Sequence, residues 1–125
     1  MRHVSELAGW AGVGVLAAAG ALARFSFDEI VQRRLRSAFP LGILAVNTSG
    51  SFAVGALAGA GVSGWTLRLA GAALLGSYTT FSTWMFDSQQ LYETGAPRRA
   101  MANVAGSVTL GLVAVALGWA IGSAL

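Results

Sequence analysis

Apolar and small residues fill four long runs of this chain, and short polar stretches divide them. The runs cover about residues 7–24, 41–60, 66–91 and 98–124. A helix crosses the hydrocarbon core of a bilayer with roughly 20 such residues, so each run predicts a membrane span. The first is at the short end of that range. Its AAAGALA stretch would also suit signal-peptide cleavage, but similar runs recur downstream and the first is expected to be retained.

The dividing stretches carry their own signals. Arg24 is expected to close the first span, as a snorkelling anchor or with a further role. After it, SFDEIVQRRLRSAF predicts a short amphipathic helix lying in the interface. Ser26 and Glu29 have capping-box spacing there, and Phe27, Ile30, Val31 and Leu35 share one face. Pro40 then punctuates. GVSG predicts a tight turn before span three, with Trp65 as a candidate interface anchor and Arg68 as a headgroup contact. In YETGAPRR, Gly95 suits a helix C-cap and Pro97 the first turn of the next helix.

Polar positions inside the runs matter more than those between them. Asn47 and Ser51 lie four apart on span two, and Asn103 and Ser107 lie four apart on span four, so each pair shares a helix face. An Asn at mid-span is costly without a partner, whether it bonds a neighbouring helix or lines a path. Gly55 and Gly59, like Gly118 and Gly122, have the spacing that lets helices approach closely. The third run is the anomaly. LLGSYTTFSTWMFD places Ser77, Thr79, Thr80, Ser82 and Thr83 within seven positions of an otherwise apolar stretch. Hydrocarbon offers no water to such groups, so they need protein partners or a wet cavity. The run also exceeds one span, which suits a helix broken near residues 76–80 and lining a polar path.

Composition supports a membrane protein of one domain. Hydrophobic residues make up 55% of the 125 and charged ones 10%, against roughly 25% in typical soluble domains. Cysteine is absent, which excludes disulfide and thiolate chemistry. The net charge of +3 arises from arginine alone and accompanies no nucleic-acid motif, so it reads as membrane-surface charge. His3 is the sole imidazole and reads as a solvated terminal residue, and no nucleophile–base pair or metal cluster points to an enzyme. The fold class expected is an all-α membrane protein of four transmembrane helices with the third broken. Four short spans enclose a path poorly, so self-association or a partner is expected.

GALARF, LGILAVNTSGSFAVG and LLGSYTTFSTWMFD resemble, in that order, the three signature blocks of the Fluc (CrcB) fluoride channels. The resemblance implies an antiparallel dimer that exports fluoride passively through two pores across the plasma (inner) membrane, with a central structural sodium ion. Arg24 matches the vestibule arginine and Asn47 the pore-lining asparagine. Phe81 matches the first pore phenylalanine, Ser82 and Thr83 the hydroxyls beside it, and Ser107 the fourth-span serine. Gly76 and Thr79 match the residues whose carbonyls hold sodium. Asp87 stands where the family commonly has Glu. Trp84 replaces the second pore phenylalanine, offering an indole N–H or blocking the path.

The chemistry of these residues is consistent with that implication. Fluoride is small and tightly hydrated, so a dry path must replace water with donors such as Asn47, Ser82, Thr83 and Ser107. An aromatic ring has an electropositive edge, which lets Phe81 face an anion edge-on. Arg24 and its neighbours would raise the local anion concentration.

Charge distribution adds an expectation about assembly. Arg24, Arg33, Arg34, Arg36, Arg98 and Arg99 follow spans one and three, and only Arg2 and Arg68 lie on the other side. Positive-inside bias then places both termini outside and gives one preferred orientation. The bias therefore points to an oppositely oriented paralogue as partner, with a homodimer as the alternative. A four-span proton-coupled drug exporter is a competing class, but it needs a mid-membrane carboxylate, and Glu6, Asp28, Glu29, Asp87 and Glu93 are not clearly so placed. A non-conducting subunit plugged by Trp84 is the third.

Overall fold

The computed structural model describes residues 1–125, and its regular elements are all helices, with no strand. Helix α1 spans Arg2–Leu35, α2 Leu41–Gly59, α3 Gly64–Thr66, α4 Gly76–Tyr78, α5 Ser82–Glu93 and α6 Pro97–Ser123. A π-helical segment, Leu67–Leu75, joins α3 to α4 without a turn. Three helices (α1, α2 and α6) are long and apolar enough to cross a membrane. Between α2 and α6 the α3–π–α4 stretch packs against α1, and α5 packs against α6.

The expected stop at Arg24 does not occur. Helix α1 continues for eleven residues past it, so there is no separate interfacial helix and no capping box at Ser26. The physical reason is that nothing between Gly20 and Arg36 breaks a helix: Gly and Pro are absent, and Glu29 pairs with Arg33 one turn on. The end comes at Arg36, whose φ of 47° is left-handed and whose N–H returns to the Gln32 carbonyl. Gln32 also fastens the next helix, because its Oε1 accepts from the Gly42 N–H at 3.0 Å. That bond caps one of the free donors that every helix start exposes.

Helices α2 and α6 form the tightest pair, and they run parallel. Gly55 and Gly59 lie against the carbonyls of Val115 and Trp119, while Gly118 and Gly122 lie against those of Phe52 and Ala56. Any Cβ at these four positions would collide with backbone. The two small-residue motifs thus pack reciprocally, each opening space for the other helix. Elsewhere α1 approaches the α3–π–α4 stretch through Gly20, which lies on the Leu74 carbonyl, and through Gly9, which lies under the Trp65 ring. Trp65 also meets Trp10 edge-on at 5.8 Å and carries the Arg68 guanidinium over its face. The expected turns hold: Gly61, Gly64 and Gly95 have positive φ, and Pro97 opens α6.

Only 13 of 125 residues are buried, and large apolar side chains on α1 and α6 face outward. Water would not tolerate such a surface on a soluble monomer, whereas lipid or a second subunit would. The chain is a multi-pass membrane protein.

Packing at the α2–α6 seam generates a stability prediction. Gly118→Ala should destabilise the protein by about 1–3 kcal/mol through overpacking, whereas Gly106→Ala on the same helix, with open space beside it, should not. Thermal melting in detergent, followed by tryptophan fluorescence, distinguishes the two. Equal melting temperatures would show that the seam has room to spare.

Candidate pore

Helical geometry fails between Tyr78 and Ser82. Thr79 turns extended, with φ −79° and ψ 159°, and α5 restarts at Ser82. Gly76 and Ser77 remain helical, so the interruption is narrower than residues 76–80 and displaced toward the C-terminus. An interruption inside a membrane leaves backbone groups without helical partners, and each must be satisfied by protein.

Asn47 meets that demand from α2. Its Oδ1 accepts from the Thr80 N–H at 2.8 Å, and its Nδ2 donates to the Thr80 carbonyl at 2.9 Å. The side-chain amide therefore replaces the missing helical partners in both directions. Gly50, one turn on, gives room for Thr79 and Tyr78 against α2, and the Tyr78 hydroxyl lies 2.9 Å from Ser49 Oγ. Arg24 Nη1 reaches across from α1 and donates to the Thr79 carbonyl at 3.5 Å. So Arg24 serves the interruption rather than a span end, which no single helix reading of α1 could reveal.

Thr80 begins α5. Its Oγ1 accepts from the Thr83 N–H at 3.2 Å, which is N-cap geometry displaced by one residue. The Ser82 and Thr83 hydroxyls lie within 3.3 Å of the same Oγ1 and form one small cluster.

Beside the interruption lies a groove of about 470 Å³ between α2, α5 and α6. Asn47, Phe81, Trp84 and Ser107 line it, together with Thr79 and Thr80. Ser82 and Thr83 are not on its wall, and Arg24 and Gly76 are not either. Phe81 and Trp84 meet edge-to-face at 5.5 Å, and Phe81 is 71% exposed. The indole N–H of Trp84 points away from the groove: it donates to the Asn103 carbonyl at 3.1 Å. Trp84 thus forms part of the wall, held to α6.

A polar network behind this wall was only half visible in the sequence. Asn103, just 1% exposed, donates from Nδ2 to Ser88 Oγ at 2.9 Å, and Ser88 donates to the Trp84 carbonyl at 2.9 Å. Ser107 Oγ donates to Asn103 Oδ1 at 3.4 Å. Every polar side-chain atom that is fully buried has a partner. The four-residue spacing of Asn103 and Ser107 signalled a shared face, whereas Ser88 gave no signal because its partner lies on another helix.

Gly76 and Thr79, the residues expected at a sodium site, lie just before and within the break, and neither carbonyl has a full helical partner. Thr80 N donates to Asn47, so the Gly76 carbonyl loses the donor that an unbroken helix would supply. The Thr79 carbonyl meets only the long contact from Arg24.

Comparison with known proteins agrees with this geometry. Residues 11–119 match the family described as CrcB-like protein, Camphor Resistance (CrcB). A protein of Mycolicibacterium paratuberculosis named Fluoride-specific ion channel FluC 2 is 44% identical over 115 residues, covering 92% of this chain and 94% of its own. Fluoride-specific ion channel FluC 1 of Symbiobacterium thermophilum is 42% identical over 119 residues, 90% of this chain and 96% of its own. Fluoride-specific ion channel FluC 2 of Haloarcula marismortui is 41% identical over 109 residues, 87% and 89% respectively. With the matched region spanning α2, the interruption, α5 and most of α1 and α6, this chain belongs to the CrcB-like family.

Proposed function

We propose that the chain forms a passive fluoride-selective channel of the plasma membrane, working as an antiparallel dimer. The observation that carries this reading is the groove: the spare N–H of Asn47 and the rings of Phe81 and Trp84 are set into walls otherwise built of valine and leucine, while the hydroxyls of Thr79, Thr80 and Ser107 turn to protein acceptors. A small anion stripped of water gains most from such donors and from aromatic edges. The names of the relatives support the choice of ion.

Arg24 stands at the interruption and would attract the anion toward it. Gly76 and Thr79 would hold sodium between two copies, where a cation offsets the partial negative charge of clustered carbonyls. Trp84, tied through its N–H, would present ring rather than donor to the ion. Arg33 and Arg34 at the end of α1 and Arg98 and Arg99 at the start of α6 bias insertion one way. An antiparallel dimer needs a partner inserted the other way, which is either an inverted copy, against this bias, or an inverted paralogue, in keeping with it.

Liposomes containing the purified chain alone should release fluoride and retain chloride, read with ion-selective electrodes. Vesicles that hold fluoride, with or without an inverted relative added, would exclude the channel. Release that appears only with the relative would assign the heterodimer.

Trp84→Phe should change fluoride flux by about tenfold or less, the equivalent of one neutral hydrogen bond. A large rise in flux would instead identify the indole as a plug.

Asn47→Ala should abolish flux and also lower the melting temperature, since each stranded backbone group costs about 1–3 kcal/mol. Unchanged melting would mean that the interruption is satisfied without Asn47.

A further inference from the structure

Most protons along the groove are already committed to protein acceptors. Trp84 Nε1 donates to the Asn103 carbonyl and Ser107 Oγ to Asn103 Oδ1. Thr79 Oγ1 donates to the Leu75 carbonyl, and Thr80 Oγ1 to Thr83 Oγ1. Asn47 uses one N–H on Thr80 and keeps the other. Ser51 differs from all of these. It lines the groove, and its hydroxyl makes no hydrogen bond to any protein group.

Its place is set by the register of the parallel pair. Gly55 meets Val115 and Gly59 meets Trp119, so positions sixty apart face one another. One turn earlier, Ser51 faces Gly111, and nothing but the Ser51 Oγ lies within 4 Å of where a Gly111 Cβ would stand. Ser51 is four residues from Asn47, about 6 Å along the axis. Farther along, the walls are Val54, Leu112 and Val115. An ion leaving Asn47 in that direction meets hydrocarbon everywhere except at Ser51, with the open space over Gly111 beside it.

We propose that Ser51 is an anion-binding residue of this groove, donating its hydroxyl proton to a small, partly dehydrated monovalent anion one turn beyond Asn47. The inference rests on the reading of the groove as the fluoride path and adds a second station to it. A hydroxyl facing apolar walls with no acceptor has a proton to give, and an anion is the acceptor that gains most from it. Gly111 keeps the space for that anion open.

The test compares wild type with Ser51→Ala, Ser51→Thr and Gly111→Ala in the liposome efflux assay, each matched for monodisperse protein by gel filtration. Ser51→Ala should lower fluoride flux about tenfold or more, the equivalent of one hydrogen bond to a charged group. Ser51→Thr keeps the hydroxyl and should restore most of it. Gly111→Ala places a methyl 3.6 Å from Ser51 Oγ and should also slow the flux. Wild-type flux in Ser51→Ala, or equal loss in Ser51→Ala and Ser51→Thr, overturns the assignment of Ser51 and leaves the channel reading intact. Wild-type vesicles that retain their fluoride overturn both.

Discussion

The structure depends on a two-way bond between one side-chain amide and one peptide unit. Where the chain stops being helical between α4 and α5, the Thr80 N–H and carbonyl have no helical partners, and Asn47 supplies both. In water that exchange would be worth little, because solvent competes for every donor. In hydrocarbon the alternative is an unsatisfied group, so the same bond decides whether the interruption can exist. Several other features follow from it: Gly50 brings α2 close enough, Thr80 is then free to cap α5, and Arg24 is drawn to the exposed Thr79 carbonyl.

Satisfying the backbone in this way also selects which groups face the groove. The N–H of Trp84 and the O–H of Ser107 both turn toward Asn103, so the donor-rich surface suggested by residue type is narrower in three dimensions. What remains is a set of ring edges, one free N–H of Asn47 and the Ser51 hydroxyl. Such a surface offers an ion few strong contacts. Weak holding is what conduction requires, since a site that binds tightly does not release. The Asn103–Ser88 network stabilises the wall from behind without facing the groove.

Much of this was legible in the sequence, for identifiable reasons. Apolar length marked the spans, and small-residue spacing marked the α2–α6 seam, because lipid imposes both constraints locally. Asn47 stood out because an amide in oil is costly wherever it is. Readings that relied on one segment in isolation failed. Arg24 looked like a span end because charge usually stops at the headgroups, but its partner is a carbonyl 55 residues away. The π-helical turn at Leu67–Leu75 has no compositional signature. The direction of the Trp84 N–H depends on α6, which the residues around Trp84 do not encode. Local physics was readable, and long-range pairing was not.

One surface of the subunit still needs a covering. Phe81 is 71% exposed beside the exposed Ser82, at the level where the backbone is interrupted. Lipid would accept the ring but would offer nothing to the hydroxyl, and water would accept the hydroxyl but not the many apolar side chains around it. A protein surface with its own apolar rings and hydroxyls satisfies both. In the antiparallel dimer proposed above, an inverted partner would offer such a surface and would set the interruption at the centre of the assembly rather than at its edge.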